Sequence, residues 1–538
     1  MPRCRIRPRS RPGAAAAACV LLVAGLGAAP GAVPGAGPLS APPSVAGPAR
    51  TAAPSPADPL ERFHAQRVQW GKCPEREAPA VMRCATVSVP LDRDRPARGT
   101  VRIAVARIPA TDREKRIGSL LLNFGGPGSP GVAGLAADPD AFADLGERYD
   151  LVAFDPRGVG RSEPVSCAGS QGVQDEAVGD AAAQLAVLRA VARRCELASG
   201  PVLPYIGTVH AARDMDVIRR VLGDRKLNFL GFSYGTRLGA VYAAQFPRST
   251  GRMVLDGVDT LSEPLAEQAL ASARGQQRAL DHFLSWCARR HDCVYGTNTR
   301  TAKEKVADLV TRLDEEPLVG GDGSYMTGQD AVAAIGAALY SKTMWPDLAD
   351  ALATAERDRD PVGLLQLGGP AQPPPDDDDD GGPDEGPAVP PDNGDAALVA
   401  VNCADDPDRS NADADPAAVE KEVTDRSAEF AKASKVFGPY QLMTVLSCYG
   451  RPAGTDFIRN IDRPGAPRML LVGTRGDPAT PYEWTEETAE RLGSAVVLDY
   501  KGDGHTGYDS SPCVQGYVHG FLLDGRLPGG TRSCPAGD

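Results

Sequence analysis

The 538-residue chain has no Cys-x-x-Cys pair, and its six histidines are scattered. Structural zinc sites gather Cys and His ligands at short fixed spacings, so a metal-built fold is not expected. No compact basic patch is present and the formal charge is −12, which argues against nucleic acid and anionic membrane surfaces as partners. The glycine-rich run Gly125-Gly126-Pro127-Gly128-Ser129-Pro130-Gly131 lacks a Gly-Lys-Ser/Thr ending and does not fit a GxGxxG helix start. With two prolines in it, the run is neither a phosphate cradle nor a dinucleotide turn. No internal repeat is evident. The apolar stretch from Ala14 to Ala29 is short for a bilayer span of about 20 residues and is interrupted by glycine, so stable membrane insertion is not expected.

What the chain does have begins at its N-terminus. Arg3, Arg5, Arg7, Arg9 and Arg11 precede that apolar stretch, and small residues and prolines follow it, the grammar of a cleaved export signal over residues 1–36. Cys19 lies early in the stretch rather than at its end, which disfavours a lipid anchor. Cleavage takes the formal charge from −12 to −17 and leaves ten cysteines: Cys73, Cys84, Cys167, Cys195, Cys287, Cys293, Cys403, Cys448, Cys513 and Cys534. An even set in an exported chain reads as disulfides; neighbours paired in order give five bridges, although sequence leaves the connectivity open. The expected location is extracellular, with attachment to the cell surface left open.

Hydrophobic residues at 42% and charged residues at 24% are the balance of a globular protein able to bury a large core. Residues 37–59, rich in Pro, Ala and Ser, read as a flexible tether. Short apolar runs then alternate with helical stretches: Val101 to Ile108, Ser119 to Phe124, Leu151 to Phe154, Leu227 to Leu230 and Met253 to Leu255. This alternation predicts an α/β fold with a mostly parallel central sheet flanked by helices. The pattern returns at Met469 to Val472 and Ala495 to Leu498, so the core is expected in two parts, 60–260 and 452–538. Between them, residues 261–451 contain amphipathic stretches such as Leu265 to Arg289 and Ala302 to Leu313, expected to form an inserted, mainly helical cap. Inside it, 368–395 carries Asp376 to Asp380 among prolines and glycines and reads as a disordered acidic insertion, not a calcium loop.

The strongest chemical signal is Gly231-Phe232-Ser233-Tyr234-Gly235, between the strand Leu227 to Leu230 and a helical run from Thr236 to Phe246. This is a nucleophile elbow in strand-to-helix context, with Ser233 as nucleophile. A serine hydroxyl needs a base, and the base needs an acid to orient it, in the chain order Ser, acid, His. His505 stands in the glycine-flanked loop Gly502-Asp503-Gly504-His505-Thr506-Gly507 after the last strand and is the expected base. Asp477, one strand and helix earlier, is the expected acid; Asp256, at the end of the Met253 to Leu255 strand, is its rival, and Asp499 and Asp503 read as structural. The oxyanion is expected to be held by the backbone N–H groups of Tyr234 and Gly126. The chemistry needs no metal or organic cofactor.

Together these segments resemble the secreted actinomycete tripeptidyl aminopeptidases, relatives of proline iminopeptidase among the α/β-hydrolases. The resemblance runs from about Arg83 to Pro535 through Asn123-Phe124-Gly125-Gly126-Pro127-Gly128, Phe154-Asp155-Pro156-Arg157-Gly158-Val159-Gly160-Arg161-Ser162, Asp214 to Gly223, the elbow, and the Asp477 and His505 segments. It implies a split core, a helical cap and release of short peptides from free N-termini, with Arg157 and Arg161 structural and Thr480 helping to orient the acid. An aminopeptidase must also hold the substrate's ammonium group, and Asp405 and Asp406 in the cap are the candidate carboxylates, with solvated surface acids the alternative reading of the pair. A carboxylesterase using the same triad is the alternative, and a catalytically silent binding protein of hydrolase fold is a third. The expected partner is a peptide or small ester; oligomeric state is open.

Overall fold

The computed structural model describes residues 58–538, apart from 170–180, 262, 322, 370–387, 407–413, 452–453, 456–460, 531 and 538. The expected signal segment, nearly all of the tether and the bulk of the acidic insertion lie outside the described residues.

Eleven strands are described: β1 (Arg83–Pro90), β2 (Thr100–Ile108), β3 (Gly118–Asn123), β4 (Tyr149–Phe154), β5 (Leu227–Phe232), β6 (Thr250–Asp256), β7 (Leu318–Val319), β8 (Tyr325–Met326), β9 (Met469–Gly476), β10 (Ala495–Asp503) and β11 (Arg532–Cys534). Nine of them form one sheet in the order β1-β2-β4-β3-β5-β6-β9-β10-β11. The β1–β2 and β2–β4 pairings are antiparallel and the others parallel. The sheet is mostly parallel and its strands alternate with helices, the α/β architecture expected of the chain. Every residue of β3 and β4 is buried, as expected of parallel strands covered by helices on both faces.

Between β6 and β9 the described residues add no strand to this sheet. The interval holds the short hairpin β7–β8 and helices such as Leu265–Cys287, Thr299–Glu315, Gly328–Ala338 and Asn393–Asp405. Leu280, Phe283, Val306, Leu309, Ile335, Trp345 and Leu352 give it a hydrophobic cluster of its own. We call this interval the cap. It docks on the core through Asn393, whose amide donates to the carbonyls of Gly158 and Val165 at 2.8 Å and accepts from Gly160 N–H at 2.8 Å.

The loop that Asn393 grips is pinned from below by Arg157. Its guanidinium forms a bidentate pair with Asp214 at 2.7 Å and donates to the carbonyls of Leu91, Tyr205 and Pro90. All five donors are thus satisfied in the interior, which makes the burial of this charge tolerable. Asp155 accepts from Val132 and Arg161 N–H, and burial pushes its carboxyl up to about 6. Both contacts hold the turn beside the glycine-rich loop.

Five disulfides join the ten cysteines in chain order: Cys73–Cys84, Cys167–Cys195, Cys287–Cys293, Cys403–Cys448 and Cys513–Cys534. Such bridges fit an extracellular protein. Among the described residues, no helix is long and apolar enough to cross a membrane.

Two strands run further than their apolar runs suggest. β9 continues through Gly473-Thr474-Arg475-Gly476 and β10 reaches Asp503, with Gly476 paired to Asp503. A Cβ on Gly473 would lie 2.6 Å from Thr485 Oγ1, so the glycine marks close helix packing rather than a loop. Arg475 is held by Asp499 at 2.9 Å and lies 3.5 Å from the centre of the Tyr482 ring.

Candidate active site

The turn from β5 into the helix Tyr234–Gln245 occurs at Ser233, whose backbone sits at φ 55° and ψ −127°. A non-glycine residue in this region carries about 1–3 kcal/mol of strain and persists only when its surroundings fix it. The surroundings here are tight. A Cβ on Gly231 would meet the Gly235 carbonyl oxygen at 2.7 Å, and one on Gly235 would meet Asn123 Oδ1 at 2.6 Å. The serine at the bend is thereby presented at the end of the strand, with a helix N-terminus directly behind it.

Gly125 faces the elbow. With φ +86° it brings its Cα so near that an added Cβ would lie 2.9 Å from Ser233 Cβ and 3.4 Å from Tyr234 N. Asn123 Oδ1 accepts from Gly125 N–H at 3.1 Å and fixes the start of the loop. Gly126 follows at φ +99°, where any side chain would strike the amides of Gly128 and Ser129. The Tyr234 and Gly126 N–H groups donate to no protein acceptor among the described residues. The arrangement can therefore offer two amides to an oxyanion.

His505 follows β10. Its Nδ1 lies 2.9 and 3.0 Å from the two carboxylate oxygens of Asp477, which directly follows β9. Asp477 also accepts from the N–H groups of Ala479, Thr480 and Thr506, so its position is fixed by backbone as well as by imidazole. A carboxylate bound to Nδ1 holds the ring in the tautomer that leaves Nε2 as acceptor. Burial alone would lower the His505 pKa, but the charge and hydrogen bond of Asp477, with further help from Asp256 and Asp259, carry it above its usual value. The imidazole is thus a stronger base than a free one.

Asp256, the rival acid, does not reach the imidazole ring through a hydrogen bond. Its carboxylate accepts from Gly507 N–H at 2.9 Å and Tyr508 N–H at 2.8 Å, while its carbonyl accepts from Ser233 N–H at 2.9 Å. One residue thereby ties the elbow to the loop that bears His505. Complete burial raises its carboxyl to about 7 against the pull of those two amides. Thr480 donates its backbone N–H to Asp477; its buried hydroxyl has no hydrogen-bond partner among the described residues.

Asp405 and Asp406, the expected carboxylates for a substrate ammonium group, have partners within the protein. Asp405 accepts from both the N–H, at 2.9 Å, and the hydroxyl of Thr208, and lies 3.8 Å from the buried Arg237 guanidinium. Thr208 Oγ1 is in turn 2.6 Å from the Tyr234 hydroxyl, so the carboxylate is spent on the start of the helix Thr208–Val221 and, beyond it, on the helix behind the elbow. Asp406 accepts from Leu265 N–H at 3.1 Å, at the start of the first long cap helix. Both side chains are buried and serve the protein's own donors.

Sequence reasoning missed two cap residues that reach the loop bearing His505. The carbonyl of Tyr340, just after the helix Gly328–Ala338, accepts from His505 N–H at 2.7 Å, and its ring lies edge-on to the imidazole with centroids 4.8 Å apart. His282 Nδ1 lies 2.6 Å from Asp503 Oδ1. No local pattern marks either residue, since each contact spans more than 160 positions of chain.

Two family models match the chain: one described as alpha/beta hydrolase fold, over residues 118–359, and one described as TAP-like protein, over residues 434–534. Serine protease Hip1 of Mycobacterium tuberculosis is 32% identical over 514 residues, covering 91% of this chain and 94% of that protein. Carboxylesterase B of the same organism is 34% identical over 492 residues, covering 87% and 90%. Tripeptidyl aminopeptidase of Streptomyces lividans is 29% identical over 490 residues, covering 87% and 86%.

Proposed function

Because this chain belongs to the tripeptidyl aminopeptidase family of α/β-hydrolases and is a serine hydrolase, we propose that Ser233, His505 and Asp477 are its catalytic triad and that it releases short, tripeptide-type fragments from free peptide N-termini. The single observation that carries the triad is the hydrogen bonding of His505 Nδ1 to Asp477, on a loop tied by Asp256 to the strained elbow. His505 Nε2 takes the Ser233 proton as Oγ attacks the scissile carbonyl, and the negative oxygen forms against the N–H groups of Tyr234 and Gly126. Collapse of that intermediate expels the amine, which receives the proton from His505. Water then attacks the acyl-enzyme through the same base. Asp477 keeps the ring oriented and stabilises its cationic form. The five disulfides, and the arginine-led apolar stretch near the start of the sequence, support a secreted enzyme.

A carboxylesterase reading is favoured by one specific observation, the 34% identity to a protein named carboxylesterase B. The two separate in one assay. Mature protein is offered a tripeptide amide with a free N-terminus, its N-blocked analogue and a short acyl ester, beside Ser233→Ala. Preferred cleavage of the free peptide supports the aminopeptidase; equal cleavage of free and blocked peptides removes it, and turnover of the ester alone favours the esterase. Ser233→Ala is expected to lower every activity by about 10⁵-fold with the same melting temperature and no labelling by a fluorophosphonate. Wild-type-like turnover by that variant would overturn the triad.

A further inference from the structure

The loop carrying His505 is gripped from the cap side by one residue in three ways. The Tyr340 carbonyl takes the His505 N–H at 2.7 Å. The Tyr340 ring stands against the imidazole at 4.8 Å with the planes 67° apart. Gly504, at φ +102°, lets the Tyr340 carbonyl come so near that a Cβ there would lie 2.8 Å from it. Yet Tyr340 is 43% exposed, far above the other members of the site, and its hydroxyl has no protein partner among the described residues. A large aromatic side chain that leans on the base, with part of its surface exposed while burial pushes its hydroxyl up to about 12, is placed to do more than fill the interior.

We propose that Tyr340 is a positioning residue of this reaction: the cap seats the base through the Tyr340 carbonyl and ring, so His505 reaches its working orientation only while the cap is docked. The inference rests on the assignment of His505 as base. Asp477 fixes the ring's Nδ1 edge from the core, and Asp256 fixes the backbone after it; Tyr340 supplies the remaining support, from the opposite domain. The chemistry needs the ring rather than the hydroxyl, because only the ring and the main-chain oxygen touch His505.

The test compares Tyr340→Phe, Tyr340→Leu and Tyr340→Ala with wild type, using the free tripeptide amide, Ser233 labelling and a pH profile. Tyr340→Phe is expected to match wild type within about twofold. Tyr340→Leu and Tyr340→Ala are expected to lose about tenfold or more in kcat with KM changed far less, since misplacing a catalytic group acts on the chemical step. The groups facing His505 are Asp477, Asp256 and Asp259 from the core and Tyr340 from the cap; removing the ring admits water to the imidazole and relieves the burial that opposes its charging. The acid limb of kcat/KM should therefore move to higher pH in Tyr340→Leu, a shift that a purely structural role would not produce. Should Tyr340→Ala fail to fold, Tyr340→Leu, which keeps an apolar but smaller side chain without the ring, carries the test. Unchanged kcat and pH profile in Tyr340→Leu, or a loss in Tyr340→Phe equal to that in Tyr340→Leu, overturns the inference. Wild-type protein with neither Ser233 labelling nor turnover would instead overturn the reading of the site itself.

Discussion

On the Ser233 side of the site, the cap reaches the core through Asp405, a carboxylate buried among Thr208, Tyr234 and Arg237. On the base's side it reaches the core through Tyr340 and His282, which are 43% exposed as a residue and 51% exposed as a side chain, respectively. The first contact is a desolvated charge network: Arg237 also pairs with Asp259 at 3.0 Å and donates to the Thr260 carbonyl and Gln268. Breaking it strands a buried charge. The second is more exposed, and its loss frees the His505 N–H and Asp503 but strands no fully buried charge. The same cap is therefore anchored for stability behind the elbow and engaged for geometry over the base.

The largest effect that tests this division lies within the base's own support. Asp477→Asn is expected to lower kcat/KM by about 10³–10⁴-fold, because an amide that donates to Nδ1 would favour the wrong tautomer. It also removes the main influence holding the His505 pKa up, so the residual activity should show its acid limb at lower pH than wild type. Asp256→Asn is the comparison that sharpens the result. It keeps one oxygen to accept from Gly507 or Tyr508 and touches no ring atom, so its loss of rate should be much the smaller. Equal losses would mean that the two acids share the orienting role. Steady-state kinetics across pH 5–9 checks both.

The elbow could be read from the letters alone because its requirements are local and steric. Gly231 and Gly235 flank the bend they permit, and the strand before them is a plain apolar run. The placement of Asp477 and His505 after late strands followed from chain order in the fold, although β9 and β10 run further into Gly-rich sequence than hydrophobicity alone suggests. Asp405 could not be read in the same way. An acid beside Cys403 looks alike whether it faces a cleft or a buried arginine, and the register of the helix Asn393–Asp405 against Thr208 decides between them. Tyr340 was silent for a related reason: its meaning lies in a contact with a loop 165 positions away.

Asp405→Ala tests the anchored side of the comparison. Removing one partner of a buried charge network costs about 3–5 kcal/mol, and Asp259 remains to compensate Arg237, so the lower end is expected. The melting temperature should fall by several degrees while the KM for the free tripeptide amide in the folded fraction stays close to wild type. A large rise in that KM with unchanged stability would return Asp405 to the role of ammonium receptor and break the contrast between the two sides.

The smallest effect is expected at His282, on the more exposed side. Its hydrogen bond with Asp503 outweighs partial burial and raises its pKa above 6.5, with Asp281 adding to the rise and Arg278 opposing it. A group whose folded pKa is raised contributes its stability fully below the unfolded value and loses it as pH climbs through the folded value. Half of this side chain faces solvent, so screening leaves the pair no more than about 1 kcal/mol. His282→Asn should therefore lower the melting temperature by about 1–2 °C at pH 6 and by almost nothing at pH 9. Thermal unfolding at the two pH values checks this. A loss at pH 6 as large as that of Asp405→Ala would show that the cap is anchored equally at both ends, and the division of labour between them would fall.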